Sequence, residues 1–213
     1  MKLSTKISVL ALTVGATLSQ AAFAAGDVWD SANPWGASTL TEFAGWNVFN
    51  AYPTDTTPEV AGSGAASVTE TTVAAFLTGG GNIYSFAAPT NFVASLNGSA
   101  GLFDVYLRIA TIGTLALPTA TLNGTSATSV IGFDGASGNP MGGGEQELYW
   151  KWSNFTGAST YTFNFGASGS SMSLDQLSLA TVAVAAVPEP SNYALFVTGL
   201  GVMGFVARRR AKK

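Results

Sequence analysis

Glu145 and Glu147 are the two carboxylates that stand closest together in this 213-residue chain. In a strand, residues two positions apart lie on one face with Cβ atoms about 7 Å apart. A carboxylate pair at such a distance can hydrolyse glycosides, with one member as acid and the other as base or nucleophile. However, the pair follows Gly142-Gly143-Gly144, and charged residues at the start of a strand are usually solvated. We therefore expect a solvated strand edge in preference to a catalytic pair.

Calcium binding is the second chemistry that the acidic residues support, because this ion takes oxygen ligands from Asp, Asn and backbone carbonyl groups. The candidate ligands are Asp27, Asp30, Asp134 and Asp175. No run of the D-x-D-x-D-G kind occurs, so calcium is a candidate ion without assigned ligands. The chain has no cysteine and no histidine, which excludes disulfides, the usual zinc sites, a Cys nucleophile and a Ser-His-Asp triad.

Aromatic rings are the third group with recognisable chemistry, since the face of a ring packs against the C–H face of a sugar. Trp29 and Trp35 flank the turn-like stretch Asp30-Ser31-Ala32-Asn33-Pro34. This position predicts that both rings face solvent and contact carbohydrate. Packing of the two rings at the end of the domain is the alternative.

β-Strands must position these side chains, because residues 25–186 consist of short alternating segments separated by Gly, Asn, Ser and Pro. The pattern predicts an all-β fold, an antiparallel β-sandwich. Asn97-Gly98 and Asn123-Gly124 predict tight turns, because both residue types tolerate positive φ. The clearest strands are predicted at 102–110, 147–155 and 160–165, and weaker ones at 43–49, 72–77, 82–86, 92–96, 114–122, 128–133 and 173–184.

The predicted strand 147–155 contains two tryptophans whose role depends on the face that they occupy. Trp150 and Trp152 share a face with Leu148, and Lys151 lies on the opposite face. A face shared with leucine is apolar throughout. We therefore expect both tryptophans in the core and not in a binding platform.

Charge is distributed unevenly, because seven of the nine basic residues lie within the first six or the last six positions. Residues 25–187 contain two bases, Arg108 and Lys151, against eleven acids, which gives a net charge of −9. Phosphate contacts depend on cations, so this composition excludes nucleic acid as a partner. Asp104 and Arg108 share one face of their predicted strand and are expected to pair with a neighbouring strand.

The N-terminus has the three parts of a secretory signal peptide. Two lysines precede an apolar run over 7–18, and Ala22-Phe23-Ala24 supplies a small-residue cleavage site. We predict a signal helix that enters the Sec translocon and is removed by signal peptidase between Ala24 and Ala25. A short buried helix is the alternative.

The C-terminus also has three parts, which are Val187-Pro188-Glu189-Pro190-Ser191, an uncharged apolar run over 193–207, and Arg208-Arg209-Arg210. The apolar run predicts a transmembrane helix, although it is shorter than the ~20 residues of a comfortable span. Snorkelling arginine side chains and bilayer thinning cover part of that difference. The arginines then form a basic stop on the cytoplasmic side of the inner membrane.

This C-terminal end resembles the PEP-CTERM sorting signal of Gram-negative bacteria over residues 187–213. The resemblance implies that a membrane-embedded exosortase recognises Pro188, Glu189 and Pro190 and cleaves at or near them. It also implies a protein that sits in the inner membrane before processing and then reaches the cell surface or extracellular matrix. Such proteins are associated with exopolysaccharide and biofilm. An ordinary tail anchor is the alternative.

The body of the chain is similar to a second family. Residues 100–180 resemble the jelly-roll carbohydrate-binding modules in the order FDVYLRIA, TLNG, a glycine-rich loop, ELYWKW, TYTFNF and SLDQLSL. This resemblance implies a jelly roll with a carbohydrate ligand.

The sequence thus divides into a signal peptide at 1–24, a β-sandwich domain at 25–186 and a sorting signal at 187–213. We expect a non-enzymatic exported protein of the cell envelope or exopolysaccharide matrix. One alternative is a secreted polysaccharide-active enzyme, a hydrolase or lyase, with the same sorting signal. The other is a structural matrix protein without sugar specificity.

Overall fold

The computed structural model describes residues 29–72, 75–136, 144–185, 195–200, 202, 203, 208 and 210. The predicted signal peptide with its Ala24–Ala25 cleavage site and the Pro188-Glu189-Pro190 motif lie outside the described residues. The described residues form fourteen strands, which are β1 (Leu40–Trp46), β2 (Thr54–Asp55), β3 (Val60–Ala61), β4 (Ala66–Glu70), β5 (Phe76–Leu77), β6 (Ile83–Tyr84), β7 (Asn91–Asn97), β8 (Leu102–Gly113), β9 (Thr119–Leu122), β10 (Thr125–Thr128), β11 (Val130–Ala136), β12 (Gly144–Thr156), β13 (Thr160–Gly166) and β14 (Met172–Ala183).

The strands form two sheets. The eight-stranded sheet, called the large sheet below, has the order β11-β12-β8-β14-β1-β3, with β6 paired to β14 and β5 paired to β6. The six-stranded sheet, called the small sheet, has the order β10-β9-β13-β7-β4-β2. All of these strand pairs are antiparallel. The predicted all-β, antiparallel sandwich is confirmed, whereas the narrower jelly-roll prediction is not confirmed.

The core lies between the two sheets and includes the tryptophans of β12. Trp150 and Trp152 are 0% and 4% exposed. Their rings lie 6.3 and 5.7 Å, between centroids, from Phe165 and Phe163 of the small sheet. Each indole N–H also donates to a backbone carbonyl oxygen, so neither polar atom is left unpaired. The prediction that both tryptophans are core residues is confirmed.

The two Asn-Gly sequences have different roles. Asn123 and Gly124 have φ angles of 46° and 85° and form a two-residue loop between the paired Leu122 and Thr125, as expected of a tight hairpin. Asn97-Gly98 instead begins the connection from β7 in the small sheet to β8 in the large sheet, and the predicted tight turn does not form there. A Cβ at that glycine would lie 2.2 Å from the Tyr161 ring, and close packing therefore requires glycine.

Strand bounds depart from the predictions mainly in the polar segments. Within the predicted range 114–122, the strand begins at Thr119, and an isolated bridge joins Ala116 to Ala167. The range 72–77 contains only the short β5 among its described residues. In contrast, β4 lies between β7 and β2 although no predicted strand covers it. Its Ala-Ser-Val-Thr-Glu sequence alternates in burial but only weakly in hydrophobicity.

The described part of the C-terminal segment is helical at 195–200. Arg208 and Arg210 are helical and exposed, and Arg209 lies outside the described residues. Among the described residues, no helix combines the length and the apolar character that crossing a membrane requires. The predicted transmembrane helix is therefore not confirmed.

Candidate functional site

A buried ion pair lies on the outer face of the large sheet. Arg108 of β8 and Glu147 of β12 are 2% and 1% exposed, and their Nη2 and Oε2 atoms are 3.2 Å apart. Arg108 alternates with the core residues Leu107 and Ile109, so its side chain points away from the core. Glu147 is the register partner of Ala110, which lies two residues after Arg108 and therefore on the same face of β8. A buried charge of this kind needs a partner, and these two residues provide it for each other.

An N-terminal strap, defined as residues 29–38, covers the ion pair. Arg108 donates to Asn33 Oδ1 at 2.8 Å and to the backbone oxygen and Oγ of Ser31 at 2.6 and 2.8 Å. Its guanidinium carbon lies 3.8 Å from the centroid of the Trp29 ring, a cation–π distance. Glu147 accepts from the backbone N–H of Asp30 and of Ser31 and from Ser31 Oγ. The ion pair thus holds the first half of the strap against the sheet.

Trp35 holds the second half of the strap. Its ring is 6% exposed and makes edge contacts with Phe43 at 5.8 Å and Tyr106 at 6.0 Å between centroids. The strap turns at Gly36, whose φ is 59° and whose N–H donates to Asn33 O. The expectation that Trp35 faces solvent is wrong, because apolar residues of β1 and β8 cover it. Trp29 is half-buried over the guanidinium, so its ring also has a structural contact.

Three carboxylates meet beside the ion pair. The oxygens of Asp30, Glu145 and Glu147 all lie within 4.8 Å of one another. Asp30 is exposed and Glu145 is half-buried. Burial, together with the negative charges of Asp30, Asp175 and Glu147, raises the pKa of Glu145 above its usual value. The expected solvated strand edge is therefore wrong for Glu147, whose carboxylate is enclosed by Arg108 and the strap.

This carboxylate group is poorly arranged for either predicted chemistry. Both oxygens of Glu147 accept hydrogen bonds from the strap, and one also faces Arg108. A general base or nucleophile must instead reach the substrate. Calcium takes six to eight oxygens, and only Asp30 and Glu145 of this group reach solvent.

Of the other candidate calcium ligands, Asp134 and Asp175 are the two that the structure describes, and neither joins this group. Asp134 is exposed on β11 and accepts from Gln146 Nε2 at 3.4 Å. Asp175 lies at an irregularity of β14 between Leu174 and Gln176. Burial raises the pKa of Asp175, and a hydrogen bond from the Asn82 side chain partly opposes this effect. Asp27 lies outside the described residues.

The second base of the body is also paired. Lys151 Nζ lies 2.7 Å from Asp104 Oδ2, and the two side chains are 38% and 21% exposed. The hydrogen bond to Asp104 is the main cause that raises the pKa of Lys151. Asp104 and Arg108 each pair with a residue of β12, so the prediction that they pair with a neighbouring strand is confirmed.

An aromatic cluster, defined as Phe76, Tyr84 and Phe86, lies elsewhere on the large sheet, and none of its members is a predicted site residue. The Phe76 and Phe86 rings are stacked at 5.6 Å, and Tyr84 meets them edge-on at 5.9 and 4.6 Å. Phe86 is 65% exposed and Phe76 is 42% exposed. Their only sequence signal is the alternation of Tyr84 and Phe86 around one polar residue, which is common in strands.

Residues 186–210 match the family model of the PEP-CTERM protein-sorting motif. The matched segment contains Pro188-Glu189-Pro190 and Arg208-Arg209-Arg210. The motif supports an exported protein that is processed at the membrane, and it implies exosortase as the processing partner. No curated protein and no solved structure matches the chain.

Proposed function

We propose that the chain is a non-catalytic exported protein that exosortase releases from the inner membrane and whose β-sandwich then binds exopolysaccharide at the cell surface or in the extracellular matrix. The observation that carries the export and exosortase-processing part of this proposal is the sorting motif at residues 186–210. Export through the Sec translocon and removal of the signal peptide at Ala24–Ala25 precede this step. An antiparallel sandwich is compatible with many functions, so the fold alone does not identify the ligand of the body.

The boundary between the sandwich and the motif supports the proposal. The last strand, β14, ends at Ala183, and the matched motif begins at residue 186. Cleavage at or near Pro188-Glu189-Pro190 would therefore keep all fourteen strands in the released product. Cleavage at Ala24–Ala25 would likewise keep the complete N-terminal strap. Both processing steps thus remove targeting segments without cutting the sandwich.

The rival hypothesis is a secreted glycoside hydrolase or lyase that uses Glu145 and Glu147. The raised pKa of Glu145 favours it, because the general acid of a glycoside hydrolase typically has a raised pKa. The ion pair of Glu147 with Arg108 weighs against it. Loss of polysaccharide cleavage in Glu145→Gln, with the variant folded, would support the enzyme.

Intact-mass measurement of the protein from its native host tests the sorting step. We expect an N-terminus at Ala25 and a C-terminus between residues 187 and 191. The same measurement in a strain without exosortase should give chains that end at Lys213. Full-length C-termini in the strain with a working exosortase would contradict the proposal.

A further inference from the structure

The aromatic cluster lies on the outer face of the large sheet. Tyr84 opposes both Phe76 and Ser173 across neighbouring strands. The adjacent register pair, Ile83 and Leu174, is fully buried in the core. Because side chains alternate along a strand, Phe76 and Tyr84 point away from the core. Their rings pack on one another and on Phe86 instead.

Three clustered rings at the surface differ from an ordinary exposed apolar residue. Single exposed apolar side chains are common, whereas contiguous patches mark binding sites. Phe86 has 65% of its surface in solvent although it contacts both other rings. The negative face of an aromatic ring attracts the polarised C–H groups of a sugar ring. The cluster therefore offers a platform for the apolar face of a sugar.

Polar groups adjoin the platform. Asn82 is half-buried, and its side chain donates to Ser173 Oγ at 3.3 Å and to Asp175. From Tyr84 the register continues through Ser173 on β14 and Ile112 on β8 to Glu145 on β12. Three strand spacings separate the ends of this row, about 14 Å in all. The row is long enough for more than one sugar ring, and the half-buried Glu145 at its end offers carboxylate acceptors for sugar hydroxyl groups.

The negative charge around the row limits the class of polysaccharide that can bind there. The acidic residues along the row and beside it are Asp175, Glu145 and Asp30. Of the two bases of the body, Arg108 is buried against Glu147, and Lys151 is paired with Asp104. A polymer that carries carboxylate or sulfate groups would therefore be repelled at this surface.

The cluster lies far from the C-terminal end of the sandwich. Ser173, opposite Tyr84, lies at the beginning of β14, and the chain leaves the same strand at Ala183 towards the sorting motif. Ten residues of strand separate the two ends by about 33 Å. Processing at the motif would therefore leave the cluster untouched.

We propose that the aromatic cluster, with Asp175 and Glu145, is the glycan-binding site and that it selects polysaccharides without acidic groups. This proposal rests on the carbohydrate-binding function proposed above and names its site and its ligand class. The tryptophans predicted from the sequence, Trp29 and Trp35, instead hold the N-terminal strap.

Affinity electrophoresis of the exported protein tests this site. The gels contain a neutral glucan, the amino polysaccharide chitosan or the acidic polysaccharide alginate. We expect the glucan or chitosan to retard the wild-type protein and alginate not to. The double variant Phe76→Ala/Phe86→Ala should bind about tenfold more weakly, as expected when ring stacking is lost. Ile131→Ala, which truncates another exposed apolar residue of the large sheet, should bind like wild type.

A charge variant tests the ligand class without altering the rings. Glu145→Lys places a cation at the end of the row, and we expect it to gain retardation by alginate. Alginate retardation of the wild-type protein equal to that by glucan would overturn the selection against acidic polymers.

Three further outcomes distinguish a failure of the proposed site from a failure of the proposed carbohydrate binding. Wild-type retardation that survives unchanged in a folded Phe76→Ala/Phe86→Ala variant overturns the site and leaves carbohydrate binding intact. Absence of retardation by every polysaccharide contradicts carbohydrate binding itself. Concentration-dependent self-association that Phe86→Ala abolishes, measured by sedimentation equilibrium, would identify the cluster as an interface between two copies and also overturn the site.

Discussion

Removal of the Arg108 guanidinium tests whether the ion pair with Glu147 organises the outer face of the large sheet. Arg108→Met keeps a long unbranched side chain and removes the charge. In this variant Glu147 stays buried and keeps its hydrogen bonds from the strap, but its charge has no opposite partner. Trp29 loses its cation–π contact, and Asn33 and the Ser31 carbonyl lose their donor.

The size of the effect follows from burial. Both members of the pair are at most 2% exposed, and removal of one member of a buried pair costs about 3–5 kcal/mol of unfolding free energy. Such a loss is a large part of the ~5–15 kcal/mol that stabilises a typical domain. At roughly 2–4 °C per kcal/mol for a domain of this size, the midpoint of thermal unfolding should fall by about 6–20 °C.

Lys151→Met is the matched control, because it removes the other base from the same two strands. The Lys151–Asp104 pair is exposed to 38% and 21%, and exposed ion pairs contribute only about 0–1 kcal/mol. Differential scanning calorimetry should therefore show a much larger shift for Arg108→Met than for Lys151→Met. Hydrogen–deuterium exchange should also show faster exchange over residues 29–38 in Arg108→Met alone.

Equal calorimetric shifts in the two variants would refute this reasoning, since the buried and exposed pairs would then be energetically alike. A large shift with unchanged exchange over residues 29–38 would mean that Trp35 alone holds the strap. The double variant Arg108→Met/Glu147→Met should recover part of the lost stability, because it removes the unpaired charge.

Two further substitutions test the core and the carboxylate group. Trp152→Ala should lower the unfolding free energy by about 3–5 kcal/mol in denaturant titrations; a midpoint like that of Ile131→Ala would contradict its assignment to the core. Glu145→Gln should raise stability at pH 7 and change it little at pH 4. The reason is that the pKa of Glu145 is higher in the folded than in the unfolded protein. Ionisation of this carboxyl group therefore lowers stability as the pH rises from the unfolded pKa through the folded pKa. If the urea midpoint of Glu145→Gln changed with pH as much as that of the wild-type protein, the raised pKa of Glu145 would not be the cause.

Local pattern was sufficient to predict the long strands. On β12, leucine and tryptophan alternate with tyrosine and lysine, and the burial of Trp150 and Trp152 follows from this period of two. Asn123-Gly124 likewise predicts its own hairpin, because both residues adopt positive φ in the turn. The strand β4 has only a weak signal, since its buried residues are Ala66, Val68 and Glu70, and valine is the one large apolar side chain among them.

The outer face could not be predicted in the same way, because its contacts join distant parts of the chain. Glu147 follows a glycine run that favours exposure, but Arg108, 39 residues earlier, and Ser31, 116 residues earlier, enclose it. Trp35 stands in a turn-like sequence, but Tyr106 lies under it. Sequence identifies each of these residues as capable of such contacts, whereas the register of β8 and β12 and the path of the N-terminal strap over them determine which residues meet.

The two bases of the body do little to offset its excess of acids, because both are held in ion pairs. Arg108 and Lys151 are the bases of residues 25–187, and both form ion pairs within the β8–β12 strand pair. Their charges are therefore cancelled locally, and the remaining acids determine the field around the sandwich. The argument that predicts no nucleic-acid partner from composition also supports the proposed selection against acidic polysaccharides. In an extracellular matrix, that field would repel acidic polymers, attract cationic ones such as chitosan, and leave rings such as Phe86 as the main source of attraction for neutral ones.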